Sequence, residues 1–399
     1  MRKRDVPLFA SNRLHSDVGA PTKAEPPSTF FEKGHVPGMG WPAVYENYWK
    51  HYIQRQVARA ATLPLLNWQE VFGEAGTDVP AVGGPAVRSA TGRTFFGNNR
   101  DANDVNVVHY AGPSLNLGTV SLSPASGDFL PRSIARSGDV IAVGGRNDTV
   151  ALAGVFLLTE QAANATPSVA EVTGVIGTAD SPTFVVTDET SGYIYAVDQG
   201  SEDGAMARFD GSTWGTDAFE HDLRPTVGVN GLTGGVGGLV VRDGVVSIAS
   251  RVEDAVVFLH KPFGEASAAT AQTEVDGTIL DFRYLEEEQL YRCIVADTSS
   301  VHVLEFAEPD GEITVHEDVF SFASASAVAL DWVIVVFNSA SATLHWRYEP
   351  SGDEHVLSMM PSPVALGTVF TDGARLFLSM IGEIAGTDYV RLLSSFVAT

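Results

Sequence analysis

The 399-residue chain carries 25 Lys+Arg against 49 Asp+Glu, a net charge of −24, and a polyanion of this size repels phosphate backbones, which excludes nucleic acid as a partner. Its hydrophobic fraction of 44% supplies a core, yet no apolar run nears the ~18 residues that span a bilayer, and the opening MRKRDVPLFA lacks the apolar stretch of a secretory leader. The expectation is a soluble protein made in a cytoplasm, with no membrane insertion.

Residues 1–39 form the first region. Five prolines and no sustained periodicity predict an extended arm, punctuated by turns at EPPSTFF and HVPGMG. Phe9, Phe30 and Phe31 would be its docking knobs. Residues 40–64 read differently. Tyr45, Tyr48, Trp49, Tyr52, Ile53, Val57 and Ala60 fall on one stripe of a 3.6-residue helix. Pro42 suits the first turn, and Pro64 closes the segment. The stripe packs either on its own chain or against another subunit. Large aromatics on one face are common interface anchors, so Trp41, Tyr45, Tyr48, Trp49, Tyr52 and Ile53 are the predicted interface residues of an anchor helix, in a chain expected to form a homo-oligomer.

From about residue 80 the pattern changes to short strands, and a repeat begins. Small-residue turns followed by apolar strands recur as RSATGRTFFGNN, ARSGDVIAVGG, DETSGYIYAVD, VRDGVVSIAS, LEEEQLYRCIVAD, ALDWVIVVFN and FTDGARLFLSM. Each copy reads as four strands over about 40–50 residues, the period of a propeller blade. The predicted fold is all-β, a seven-bladed β-propeller over residues 65–399, preceded by the arm and one amphipathic α-helix. The last copy ends after its third strand. Residues 65–80 are predicted to supply the missing one, with Leu65 to Phe72 preferred over Thr77 to Gly83, and so to remove an open edge.

In such a ring the loops between second and third strands share one face with the blade-to-blade connections. They would gather Arg100, Asp101, Asp104, Arg146, Asp148, Glu202, Asp203, Arg251, Glu253, Asp254 and Asp297. Wetness alone accounts for polar loops; converging charges at a ring mouth would also bind a sugar, a cation or a partner protein. There is no G-x-S-x-G, H-E-x-x-H or P-loop, and no His pair at i, i+4. No catalytic residue, metal site or cofactor is therefore assigned. A single cysteine, Cys293, excludes an internal disulfide, and its apolar neighbours mark it as a buried, inert thiol. The stretch RFDGSTWGT, Arg208 to Thr216, is similar to the Asp-box turn of sialidase-like propellers, which is a structural hairpin turn.

One resemblance bears on function. PPSTFFEKGHVPGMGWPAVYENYWKHYIQRQVAR resembles the N-terminal module of tail-fibre and related virion proteins of tailed bacteriophages, through Gly34, Pro37, Gly38, Pro42, Ala43, Asn47, Tyr48 and Trp49. In that family a Trp often follows the Asn directly, whereas Tyr48 intervenes here. The resemblance implies a virion location and an anchoring role, with other virion proteins as partners of the arm and helix. The strong acidity fits a virion component and equally a halophile's scaffold. The leading expectation is a non-enzymatic structural protein of a tailed phage particle (tail, fibre or adaptor), whose propeller contacts a neighbouring protein or a host surface. The alternative is a tethered glycan-binding or glycan-cleaving propeller, a lectin or glycoside hydrolase.

Overall fold

The computed structural model describes residues 69–396 except 76–81, 99–105, 112–115, 123–128, 148–151, 161–165, 173–182, 199–203, 220–236, 253–254, 267, 287, 309–310, 325, 331–332, 359–363, 373–374 and 385–386. Its strands are β1 (Gln69–Ala75); β2 (Val82–Arg88), β3 (Thr94–Asn98), β4 (Asn106–Ala111) and β5 (Asn116–Ser121); β6 (Phe129–Ser137), β7 (Val140–Asn147), β8 (Leu152–Thr159) and β9 (Ser168–Val172); β10 (Phe184–Thr187), β11 (Ile194–Asp198), β12 (Gly204–Phe209) and β13 (Trp214–Phe219). They continue as β14 (Gly238–Arg242), β15 (Val245–Val252), β16 (Ala255–Pro262) and β17 (Ala269–Thr273); β18 (Thr278–Leu285), β19 (Leu290–Ala296), β20 (Val301–Phe306) and β21 (Thr314–Phe320); β22 (Ala327–Leu330), β23 (Val333–Asn338), β24 (Thr343–Arg347) and β25 (His355–Ser358); and β26 (Val364–Thr371), β27 (Arg375–Ile384) and β28 (Thr387–Phe396).

These strands pair into seven four-stranded antiparallel sheets. Six are consecutive meanders, and the seventh has the order β1-β28-β27-β26. The first strand of each meander touches the first strand of the next: β2 to β6, β10, β14, β18, β22, β26 and back to β2. The sheets thus stand around an axis as blades, numbered 1 to 7 from the one that begins with β2.

Burial falls outward along each blade. The second strands β11 and β23 are buried along almost their whole length, whereas the outer strand β9 is mostly exposed. Both faces of an inner strand meet a neighbouring blade, so IYAVD and VIVVFN read as continuous apolar runs and not as an alternation. The core is accordingly divided into seams. Phe95, Phe129 and Phe156 fill the space between blades 1 and 2; Phe258, Phe282, Tyr291 and Phe306 fill that between blades 4 and 5. At the closing seam of blades 7 and 1, the Phe96 ring meets Phe370 and Phe377 edge-on, with centroids 5.6 and 5.1 Å away.

Polar side chains join neighbouring inner strands where no ladder runs. Ser133 Oγ accepts the Val185 N–H at 2.6 Å, Asp281 Oδ2 the Ala329 N–H at 2.8 Å, and Ser326 Oγ the Val369 N–H at 2.7 Å. Each satisfies a donor that would otherwise be buried unpaired, a cost of about 1–3 kcal/mol.

The expected fold class is corrected at its front. The described residues hold no helix, so the fold they define is strand throughout. The arm, 1–39, and the anchor helix, 40–64, lie outside the described residues. The closing strand is β1, which pairs Gln69 with Ser394 and Ala75 with Tyr389; Gln69 to Phe72 of the preferred segment lie in it, and residues 65–68 lie outside the described residues.

Candidate functional site

The β17–β18 connection crosses from blade 4 to blade 5 beside the β19–β20 turn. Between them lies a groove of about 1010 Å³, lined by Arg251, Glu274, Asp276, Asp297, His302 and Glu317 among others. Gly277 lets the connection pass close to β19: a Cβ there would stand 2.6 Å from the Ala296 carbonyl oxygen.

Two of the groove's cationic or basic groups are already engaged. Arg251, at the end of β15, places Nη2 2.6 Å from Asp276 Oδ1. His302 Nδ1 accepts the Asp318 N–H at 3.3 Å, so the ring hydrogen of the neutral imidazole sits on Nε2 and is donated to Asp297 Oδ2 at 3.1 Å. Asp318 lies in the irregular stretch of β21 where pairing steps from Val301–Phe320 to Val303–His316, and its φ is +50°. Asp297 in turn builds its own hairpin, its Oδ1 accepting the N–H groups of Ser299 and Ser300, each at 2.6 Å. Those backbone donors, Ser299 first, hold its carboxyl well below the usual aspartate range, aided by His302. Glu274 and Glu317 are exposed. Among the described residues neither has an ion-pair partner, so the groove is net acidic.

Of the predicted face residues, the structure brings Arg251 and Asp297 into this groove. Arg146 lies on β7, its backbone paired with Ala153. Arg100, Asp101, Asp104, Asp148, Glu202, Asp203, Glu253 and Asp254 lie outside the described residues, as do the helix residues Trp41, Tyr45, Tyr48, Trp49, Tyr52 and Ile53. The sequence reading passed over Glu274, Asp276, His302 and Glu317. EVDGT, which holds the first two, is a blade-to-blade connection, and that reading placed such connections on the same face without collecting their charges.

Other polar clusters are structural. The Asp210 carboxylate accepts the N–H groups of Ser212 and Thr213 at 2.9 and 2.8 Å, and Trp214 leans on Phe209, centroids 5.1 Å apart; the RFDGSTW stretch is a hairpin turn. Ser247 Oγ lies 2.8 Å from His260 Nδ1 and donates to Tyr291 Oη at 3.3 Å. All three residues are buried in the seam of blades 4 and 5, out of a substrate's reach. Cys293 is fully buried, and burial holds its thiol well above the ordinary range. Among the described residues no group of three or more His, Cys, Asp or Glu could hold a metal ion, and no helix is long and apolar enough to cross a membrane.

No protein-family model and no curated protein matches the chain in sequence. Solved structures do match its fold. YCF48 bound to D1 peptide has a TM-score of 0.52 at 10% identity, covering 82% of this chain and 96% of that one. A chain of the mitotic checkpoint complex has a TM-score of 0.53 at 11% identity, covering 82% and 92%. Polysaccharide lyase Uly1 has a TM-score of 0.50 at 12% identity, covering 79% and 91%. At these identities the likeness concerns the fold alone.

Proposed function

We propose that the chain is a non-enzymatic binding platform, whose acidic groove between blades 4 and 5 takes a basic segment of a partner protein. The observation that carries this is the groove's charge: Arg251 and His302 are each matched by a carboxylate, while Glu274 and Glu317 line it with no ion-pair partner among the described residues. A lysine- or arginine-bearing segment would supply the missing charge. Acidic fields also raise the encounter rate with such a partner. Among the structural neighbours, one was solved with a peptide and one within a multiprotein complex, uses the same fold can serve.

The particle role rests on the resemblance over residues 26–59. In that reading the segment 40–64 seats the protein on a tailed phage particle, and the propeller presents its groove to a neighbouring or host protein.

The test uses the full chain. Fluorescence anisotropy with an arginine- and lysine-rich peptide should show saturable, salt-sensitive binding, and Glu274→Lys with Glu317→Lys should weaken it by roughly tenfold or more, each charge contact being worth about 1–2 kcal/mol. Equal binding by the double variant would overturn the groove assignment. Cleavage of a polysaccharide by the wild-type protein, abolished in His302→Gln, would replace the platform with a glycan-cleaving enzyme. Absence of the protein from purified particles would sink the virion role and leave the groove standing.

A further inference from the structure

The inner strands line a second cavity, of about 470 Å³, on the axis of the ring and open to solvent. Five blades contribute to its wall: Ala86 from β2, Arg132 from β6, Arg283 from β18, Val328 from β22 and Thr368 from β26 are among the lining residues. Among the described residues its charged lining groups are Arg132, Arg283 and Asp281. Among these residues the excess is positive, inside a chain whose net charge is −24.

Both arginines are placed by the backbone. On β6 the pairing steps from Pro131–Gly145 to Ser133–Gly144, which leaves Arg132 as the extra residue of a β-bulge. A bulge re-aims the side chain of its unpaired residue, and here that side chain lines the channel. Arg132 is exposed and has no ion-pair or hydrogen-bond partner among the described residues. Arg283 belongs to blade 5, three steps round the ring. Its Nε donates to Asp281 Oδ2 at 2.7 Å. The same oxygen accepts the Ala329 N–H at 2.8 Å, which ties Asp281 to the next blade. The ion pair engages Arg283 through Nε and does not use the Nη pair at the end of the fork.

We propose that the axial channel is a binding site for a small organic dicarboxylate, one carboxylate on the Arg132 guanidinium and the other on the Nη groups of Arg283. Guanidinium forks match carboxylates in a planar, two-point geometry that an ammonium cannot reproduce. The volume lies within the range of small-ligand sites, about 300–1,000 Å³. An arginine turned inward by a bulge, with no partner among the described residues, has no structural role in the ladder it interrupts.

Isothermal titration of the full chain at constant ionic strength would use succinate, glutarate and citrate, with acetate, inorganic phosphate and glycerol as comparisons. Saturable binding of a dicarboxylate is expected, stronger than that of acetate. Arg132→Ala should weaken it by roughly tenfold or more, the loss of one charge-assisted contact, with Arg132→Lys only partly restoring it. Arg132 is exposed at a bulge, so the variant should keep the wild-type melting temperature without ligand. Arg283→Gln gives an independent second reading. No saturable heat with any dicarboxylate would overturn the proposal. So would affinity unchanged in both variants, or phosphate binding in place of dicarboxylates. None of these outcomes touches the peptide groove on blades 4 and 5, whose variants leave the channel intact.

Discussion

Lys261 ends β16 with only 4% of its side chain exposed, and its Nζ lies 2.5 Å from Asp217 Oδ2 on the neighbouring blade. The same carboxylate oxygen accepts the Gly264 N–H at 2.8 Å. Burial by itself would raise the Asp217 pKa, but the Lys261 hydrogen bond and the N–H groups of Gly264 and Ala218 outweigh it, and the net shift is downward. Asp217→Ala leaves a buried ammonium alone. It should cost about 2–3 kcal/mol at neutral pH, less than for a fully buried pair, because a fifth of the Asp217 side chain is exposed (20%). Asp217→Ala with Lys261→Met should recover most of that. Because the folded pKa is depressed, the stabilisation is complete above the ordinary aspartate value of about 4 and is lost as pH falls through the lower folded value. Urea midpoints of wild type and variant should therefore converge below about pH 4; a gap that widens on acidification would refute the pairing. The candidate groove was legible at this scale only in part. Arg251 and Asp297 stand out as charges in turn-like loops. Arg132 does not, because a bulge is a slip of register between two strands, and FLPRSIARS holds no local mark of which residue will be left unpaired.

At the scale of the strand and its seam, close approach replaces charge as the deciding quantity. Gly144 on β7 lies against the start of β10 in the next blade. A Cβ added there would stand 2.6 Å from the Thr183 carbonyl oxygen, 3.0 Å from Ser133 Oγ and 3.0 Å from Val185 Cγ1. The first is backbone and the second already holds the Val185 N–H, so neither yields cheaply. Gly144→Ala should destabilise by about 1–3 kcal/mol, the usual cost of overpacking, whereas Gly138→Ala would meet nothing within 4 Å and should act only through its φ of +57°. Denaturant unfolding of the two variants separates the effects. If Gly144→Ala proves the milder, the seam is looser than its distances imply. Strand identity was largely readable, since each blade repeats its turn and its apolar run: ARSGDVIAVGG contains the β6–β7 turn, and DETSGYIYAVD the β10–β11 turn. Partners between blades were not. Ser133, Asp281 and Ser326 look like ordinary polar residues in strands, and their role as bridges follows from which strand the ring sets beside them.

For the whole molecule, closure and charge act against each other. Each blade buries its two faces against neighbours, and β1 returns from ahead of blade 1 to complete the sheet of β26, β27 and β28, so the chain's two described ends are held in one sheet. A linear array of repeats would lose stability blade by blade; a closed ring must break a seam before any blade is freed. Against this works a net charge of −24, whose self-repulsion favours expansion. The local ion pairs, such as Arg292 Nη2 to Glu305 at 2.5 Å and Lys261 to Asp217 at 2.5 Å, are short-range and largely shielded by the seams, while the surplus carboxylates act over the whole surface. Raising NaCl from about 10 mM to about 0.5 M shortens the Debye length from about 30 Å to a few ångströms, which weakens the repulsion far more than the buried pairs. The melting temperature should rise across that range by several degrees, with the steepest change at low salt, and the transition should stay single by both fluorescence and circular dichroism. A melting temperature that falls with salt would mean that exposed ion pairs, and not the closed stack of apolar seams, hold the ring together.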